Sequence, residues 1–526
     1  MIPRFVKSTI FINRLQDSVP LRLSNAFYSS KTVKRRGESK IEPIKAPSEI
    51  KLDEPEHPID KTFRILKRDI VNFKNRWFTM KPEHSRFHDR KMTWTKDDNP
   101  FDCPIECDIL IIGGAAMGSS IAHFLKKRAG EGLKIVIVEK DLTYSKASTV
   151  LSLGGIRQQF SLEENIEMSL FGAEFIRNIN ENLSVVGEPP VDIQYRPYGY
   201  LFLASEKGAE DMIENAKLQR ELGAKNILLK PEKLKEKFPW MNTDGIALGC
   251  LGIEKEGWFD PWSFLFALKR KCLSQEIYYV EGEVVGFLFN KLSNVQFADP
   301  KETSDELAQS VVIQTSDGKQ RSIQYSQCVI AAGPNSGEVA RLARIGTGKG
   351  VLSIPLPVEP RKRFVYCFHS PDGPVINLPM TIDPSGTYFR REGLGGNYIC
   401  GRCPSEEHEE PNVDDLEVDH EFFNDHVWPI LAKRVKGFDN LKVKSSWAGF
   451  YEYNHFDQNG VVGLHPYYPN FYFATGFSGH GIQKSPAVGR AIAELILDSE
   501  YTTIDLTRLS FERFITLEPM RERNVV

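Results

Sequence analysis

Two glycine-rich breaks, one near residue 113 and one near residue 476, constrain this chain more than any other feature. Asp108-Ile109-Leu110-Ile111-Ile112 runs into Gly113-Gly114-Ala115-Ala116-Met117-Gly118. Phe471-Tyr472-Phe473-Ala474-Thr475 runs into Gly476-Phe477-Ser478-Gly479-His480-Gly481. Each apolar run is bounded by turn residues and reads as a fully buried strand. Each then breaks into glycine and feeds a helical pattern.

The first break has the chemistry of a phosphate-binding turn. Gly113 permits the tight turn out of the strand, and Gly118 lets the next helix, roughly Ser119 to Lys127, lie close to the sheet. The N-terminus of that helix offers unpaired N–H groups and a positive dipole end to a pyrophosphate. A second strand, Lys134 to Val138, ends in Glu139, with Lys140 beside it. An acidic residue at such a strand tip is placed to bind a ribose hydroxyl. Ala115 stands where G-x-G-x-x-G has its middle glycine, the one that admits close phosphate approach. The plainer alternatives are a strand-to-helix turn with no ligand, and a Glu139 that is merely a solvated strand end.

The dinucleotide indicated is FAD. An NAD domain completes its site in one contiguous block, whereas here the strand Gln327 to Ala332, ending in Gly333-Pro334, and the Ala474-Thr475-Gly476 segment come far downstream. Strands that end in small residues let a cofactor lie across their tips. After the last of them, Ser485-Pro486 opens an apolar helical pattern, Ala487 to Leu497, and proline suits a helix start.

Composition excludes several classes. A net charge of -3 gives no argument for nucleic acid or for a polybasic membrane surface. No apolar run approaches the ~20 residues that span a bilayer. Eight cysteines are too few for a disulfide scaffold. Cys400-Gly401-Arg402-Cys403 lacks a second ligand pair, so no metal site is expected. The first residues differ from the rest: Arg4, Lys7, Arg14, Arg22, Lys31, Lys34, Arg35 and Arg36 face one acid, Asp17. That is the make-up of a mitochondrial transit peptide, with a disordered basic tail as the alternative.

The expected organisation is a transit peptide over 1–30 and a linker with an N-terminal arm over 31–104. A discontinuous FAD-binding domain follows at 105–190, 255–345 and 445–500. A substrate domain occupies 191–254 and 346–444, and a tail 501–526. The fold class is α/β plus antiparallel β: a Rossmann-like FAD-binding domain whose flavin is roofed by an antiparallel sheet. Aromatic-rich strands such as Gly199 to Leu203 and Lys362 to Phe368 supply that roof.

The chain resembles the D-amino-acid-oxidase/glycine-oxidase/sarcosine-oxidase family of flavoproteins. The matching pieces are Asp108 to Gly118, Lys134 to Glu139, Gly154 to Arg157, Tyr198 to Leu203, Val329 to Gly333, Tyr388 to Gly393, Trp447 to Tyr451 and Ala474 to Gly481. The resemblance implies FAD held through Gly113, Gly114, Ala115, Gly118, Glu139, Lys140, Gly154, Gly155, Ala332, Gly333, Gly476, Gly479, His480 and Gly481. It also implies hydride transfer from a carbon next to an amine, with a small amine or amino acid as substrate. Arg157, after the Gly154-Gly155 turn, and Arg390, on a roof strand, match positions suited to clamping a carboxylate. Each is equally readable as an ion-pair or solvated strand residue. Tyr451 and Tyr453 line the substrate cage or are ordinary sheet residues. The N-terminus of the last helix should stabilise charge on the reduced ring, with backbone mattering more than His480 among its glycines. His455, before Asp457-Gln458-Asn459-Gly460, belongs to a hairpin turn rather than to the chemistry.

Three departures shape the expectation. Sarcosine oxidases carry a carboxylate-holding lysine where this chain has Gln483, with Lys484 one residue on. They also carry an oxygen-activating lysine on a roof strand, and Asn397 to Gly401 has none, which favours a dehydrogenase over an oxidase. No histidine stands near Ser152-Leu153-Gly154, so noncovalent FAD is expected. Finally, Gly155 to Leu162, Trp447 to Gly463 and Gly476 to Gly481 resemble a mitochondrial branch of the family that supports assembly of respiratory complex I at the inner membrane. This implies complex I assembly intermediates as partners on the matrix side. The competing expectation is an active amine dehydrogenase with no assembly role.

Overall fold

The computed structural model describes residues 103–291, 306–375, 377–404 and 410–523. All of them lie in the second of two compact units, residues 47–526. The proposed transit peptide, and the linker and arm up to residue 102, lie outside the described residues.

The chain enters the first sheet with β1 (Glu106–Ile112) and turns into helix α1 (Ala116–Ala129). α1 starts earlier than its apolar pattern predicts, where Thr149 Oγ1 accepts from the Ala116 N–H at 3.3 Å. The chain returns as β2 (Ile135–Glu139), parallel to β1 with Ile109 opposite Ile135 and Ile111 opposite Ile137. Helices α2 (Glu163–Arg177) and α3 (Pro261–Ser274) follow. On the other side of β1 lies β3 (Gln320–Ile330), also parallel, with Ile111 opposite Val329. The late strand β7 (Phe471–Thr475) lies parallel beyond β3, with Val329 opposite Tyr472. Sequence-distant strands thus become neighbours, and their C-terminal tips line up.

Alternation explains why β1 is apolar from Ile109 to Ile112. Ile109 and Ile111 face one core with helices α1, α2 and α3, while Leu110 and Ile112 face a second core with Phe287, Val311 and Ile313. A strand covered on both faces has no position for a polar side chain. The second cover is an antiparallel extension in which Glu283–Lys291 and Glu306–Gln314 continue from β3.

The second sheet contains β4 (Val358–His369), β5 (Tyr388–Glu392) and β6 (Lys442–Asn454). Its spatial order runs from β6 through β4, Asn397–Gly401, β5, Met380–Ile382 and Tyr200–Ala204 to Leu248–Gly252 and Asn226–Leu229. Apart from the parallel pair Met380–Ile382 and Tyr200–Ala204, its pairings are antiparallel. Residues 445–454, expected in the nucleotide domain, pair along β4 here, because their side chains suit a half-buried sheet face rather than a doubly covered strand. Asn459-Gly460 is therefore not a hairpin between partners. It joins β6 of one sheet to Val461–Leu464 of the other, pinned by Asn454 Nδ2 to Asp457 Oδ1 at 2.8 Å and to the Asn459 carbonyl at 2.6 Å. His455 in this crossing is exposed.

Helix α4 (Gly481–Asp498) closes the first sheet's helical face. It begins before Ser485-Pro486, so Pro486 sits inside the helix rather than at its start. Proline there leaves the Ile482 carbonyl without its usual partner. Ser485 Oγ donates to that carbonyl at 2.9 Å, which accommodates the proline.

Candidate cofactor and substrate site

A cavity of about 680 Å³ lies at the C-terminal tips of β1, β2 and β3 and extends beneath the second sheet. That size falls in the range of ligand pockets. Gly113, Ala115, Glu139, Lys140, Gly155, Arg157, Ala332, Gly333, Tyr451, Gly479, His480 and Gly481 line it. The structure therefore gathers most of the residues singled out from sequence into one crevice.

The turn is built by contact distances. Gly113 has φ of +103°, and a Cβ there would stand 2.2 Å from the Ala331 carbonyl oxygen. A Cβ on Gly118 would stand 1.9 Å from the Gly113 carbonyl oxygen, so only glycine lets α1 approach the turn. Ala115 adopts φ −73° and ψ −159°, ordinary extended backbone, so alanine is free of backbone strain where a middle glycine stands in the motif.

Glu139 is held by backbone. Gly114 N–H donates to Oε2 at 2.7 Å and Asp141 N–H to Oε1 at 3.2 Å. Burial pushes its carboxyl above the usual range, and the backbone N–H groups counter this. Lys140 forms an exposed ion pair with Glu283 at 2.6 Å on the cavity rim.

Gly114, Gly118, Gly154, Gly476 and Arg390 do not line the cavity. The glycines serve packing behind it: a Cβ on Gly154 would meet the Phe259 carbonyl oxygen at 2.0 Å, and one on Gly476 would meet Val358 Cγ2 at 2.9 Å. Arg390 is buried on β5, bonded to Glu392, with its guanidinium 5.1 Å from the Trp258 ring centre.

Arg157 is buried and held from several sides. Its N–H donates to Gln483 Oε1 at 2.8 Å, its guanidinium donates to the Gln159 carbonyl, and it lies 4.1 Å from the Phe160 ring centre. Its Nη2 is 3.3 Å from His480 Nε2. Arginine can only donate, so Nε2 accepts, and His480 Nδ1 carries the proton it gives to the Phe477 carbonyl at 3.1 Å. Burial, with Lys484 and Arg157 adding to it, holds the His480 pKa well below the usual value, which keeps the ring neutral. Lys484 points away from the cavity: its Nζ donates to Asn165 Oδ1 at 2.8 Å and lies 4.3 Å from the Phe160 ring centre.

The roof contributes residues that sequence reasoning did not single out. Arg363 of β4 lines the cavity, and its Nη2 donates to Tyr451 Oη at 3.0 Å while its fork bonds Glu410 at 2.7 and 3.2 Å. Tyr200, Tyr388, Arg402 and Glu452 also line it. A Cβ on Gly155 would stand 1.9 Å from Tyr200 Oη, so that glycine admits the tyrosine. The available signal for Arg363 was the basic run Arg361-Lys362-Arg363 on an aromatic-rich strand.

Strand tips carrying a phosphate turn, an acidic tip and small residues, roofed by an antiparallel sheet, define a dinucleotide-dependent flavoprotein. The residues fit FAD: the Gly113 cradle with the α1 N-terminus for the pyrophosphate, Glu139 for the ribose, and Gly333 with Gly479 to Gly481 along the rest of the crevice. A family profile described as FAD dependent oxidoreductase matches residues 108–495, and the chain belongs to that family, with FAD as its cofactor. It is 54% identical over 441 residues to FAD-dependent oxidoreductase domain-containing protein 1 of Xenopus laevis, covering 82% of this chain and 88% of that relative. The Drosophila melanogaster homolog is 45% identical over 488 residues, covering 89% and 92%. Among solved structures, L-proline dehydrogenase from P. horikoshii superposes with a TM-score of 0.65 at 26% identity, covering 79% of this chain and 100% of that one. Glycine oxidase from Geobacillus kaustophilus shares the fold, with a TM-score of 0.60 at 22% identity over 78% of this chain and 99% of that one.

Proposed function

We propose that this chain is a mitochondrial flavoprotein that dehydrogenates a small amine-bearing carboxylate and also serves assembly of respiratory complex I from the matrix side of the inner membrane. The carrying observation is that one cavity contains both the nucleotide cradle at Gly113 and Glu139 and the Arg363–Tyr451 pair under the roof. FAD, when bound, supplies the electron-accepting ring. The residues around it orient the donor. The planar fork of Arg363, held by Tyr451 and closed on Glu410 in this structure, would clamp a substrate carboxylate by exchanging it for that of Glu410. Tyr200 and Tyr388 line the same space. Arg157, anchored by His480 and Gln483, adds fixed positive charge. His480 has both nitrogens engaged and takes no proton from a substrate. The likeness to an L-proline dehydrogenase supports a dehydrogenase, as does the absence of lysine from Asn397–Gly401.

The assembly role is supported by the long runs that resemble the mitochondrial branch, and import by the basic, acid-poor first residues. A second reading, an active N-methyl amino acid or amine dehydrogenase with no assembly role, is favoured by the Arg363–Tyr451 pair in the cavity wall. The test is anaerobic titration of purified protein with L-proline and a panel of N-methyl amino acids, followed at the flavin bands. Bleaching supports catalysis. Complex I content is then measured in cells lacking the protein and complemented with wild type or Arg363→Lys. Restoration by both assigns assembly to the fold rather than to turnover, whereas no loss of complex I in the deficient cells sinks the assembly role.

A further inference from the structure

Glu452 of β6 places a carboxyl group in the wall of the cofactor cavity. Thr475 Oγ1 donates to Oε2 at 2.9 Å, and the backbone N–H groups of Gly476 and Phe477 favour the charged form of the carboxylate. Oε1 stands 2.9 Å from where a Gly481 Cβ would be, at the first turn of α4. Asp383 and Asp457, both buried, hold Arg434 at 2.8 Å and Arg513 at 2.7 Å, whereas Glu256 and Glu139 are held, like Glu452, by neutral donors. Among the described residues, no ion pair reaches Glu452.

The titratable groups on the surrounding elements are engaged elsewhere. On β4, where Pro360 stands opposite Glu452, Arg361 pairs with Glu359 and Glu410, and Arg363 with Glu410. On β6 itself, Tyr451 accepts from Arg363, and Tyr453 packs on the Arg361 guanidinium at 4.6 Å. At the start of α4, His480 is engaged by Phe477 and Arg157, and Lys484 by Asn165. On the helix after β3, Glu338 pairs with Arg341. Burial pushes the Glu452 carboxyl up to about 7.

Negative charge added to the same desolvated space repels an ionised Glu452, and a proton on one of two interacting groups relieves this. We propose that Glu452 takes up a proton from solvent when electrons are loaded onto the bound flavin, so that reduction is coupled to pH at this carboxylate. The balance is simple. The donor's hydride carries two electrons and its hydrogen to the ring, and Glu452 gains one solvent proton on a carboxylate oxygen. No other group is oxidised or reduced. The inference rests on FAD occupying this cavity.

The test is the midpoint potential of FAD bound to the full chain, measured from about pH 6 to about pH 9 in wild type and Glu452→Gln. Wild type is expected to show the steeper fall of potential with pH around neutrality, by up to one extra proton per electron pair. Glu452→Gln should lack that extra slope. Thr475→Val removes a donor to the carboxylate and should move the steep region to higher pH while keeping its slope. Equal slopes in wild type and Glu452→Gln, on yellow protein, overturn the inference alone. Protein that stays colourless when supplied with FAD overturns the cofactor reading and this inference with it.

Discussion

The position a Gly118 Cβ would occupy is 1.9 Å from the carbonyl oxygen of Gly113. No rotamer relieves this, because both the added atom and the oxygen are fixed to backbone. Gly118→Ala is therefore expected to push α1 off the turn. Overpacking of this kind costs about 1–3 kcal/mol. Lower flavin content and a lower Tm in the purified variant, beside wild type, check it; full flavin occupancy would contradict it.

Ala115 makes the opposite case. Its backbone is extended and unstrained, and it lines the cavity. Ala115→Gly should leave the fold intact and change FAD affinity by less than about tenfold, equivalent to 1.4 kcal/mol. Quenching of free FAD fluorescence on titration with apoprotein measures it.

Arg363 donates to Tyr451 and presents a two-pronged fork to a carboxylate, here that of Glu410. Arg363→Lys keeps the charge and removes the fork. Losing a hydrogen bond to a charged group costs about 1.5–3 kcal/mol. The apparent Kd for an amino-acid ligand, read from flavin spectral perturbation, should rise by roughly 10- to 100-fold. FAD content should stay unchanged.

Lys484 is enclosed against Phe160, and burial pulls its pKa from the usual 10.5 down to about 7. The unfolded chain thus binds more protons between those two values. Stability should rise with pH across that window, and the penalty for charging the buried amine is fully present below about 7. Urea midpoints taken across this range should climb in wild type and climb less in Lys484→Met.

Arg513 and Asp457 form a buried pair at 2.7 Å, and the Arg513 guanidinium also donates to the Asn459 and Gly460 carbonyls at 3.1 and 2.9 Å. Arg513→Met should destabilise by about 3–5 kcal/mol, because it leaves Asp457 buried and unpaired. Chemical denaturation reads this directly. Residues after 500 thus belong to the packed fold. Glu522 extends the same role, accepting from the Ser161 and Leu162 N–H groups at 2.7 and 3.3 Å ahead of α2.

Local chemistry made much of the cofactor crevice legible. Gly113, Glu139, Gly333 and Gly481 announce themselves because a turn, an acidic strand tip and a helix start each need particular residue types at short spacing. Arg390 and Arg363 show where that logic ends. Both are arginines on strands of one aromatic-rich sheet. Arg390 is bonded to Glu392 behind the cavity wall, while Arg363 reaches into it. Which of the two faces the cavity depends on how β4 and β5 are placed in the sheet, and no local pattern encodes that. Residues 445–454 were likewise readable as strand but not as a partner of β4.

By itself, the amino-acid order determined the buried strands and the phosphate turn, because these depend on periodicity and on motifs within a few residues of one another, while the family and FAD were carried by resemblance over distant segments. Only the tertiary structure decided which arginine meets the cavity, that Glu452 stands in its wall, and that the tail locks onto Asp457 and Ser161. Those outcomes come from long-range packing, in which burial and partners are set by residues hundreds of positions apart.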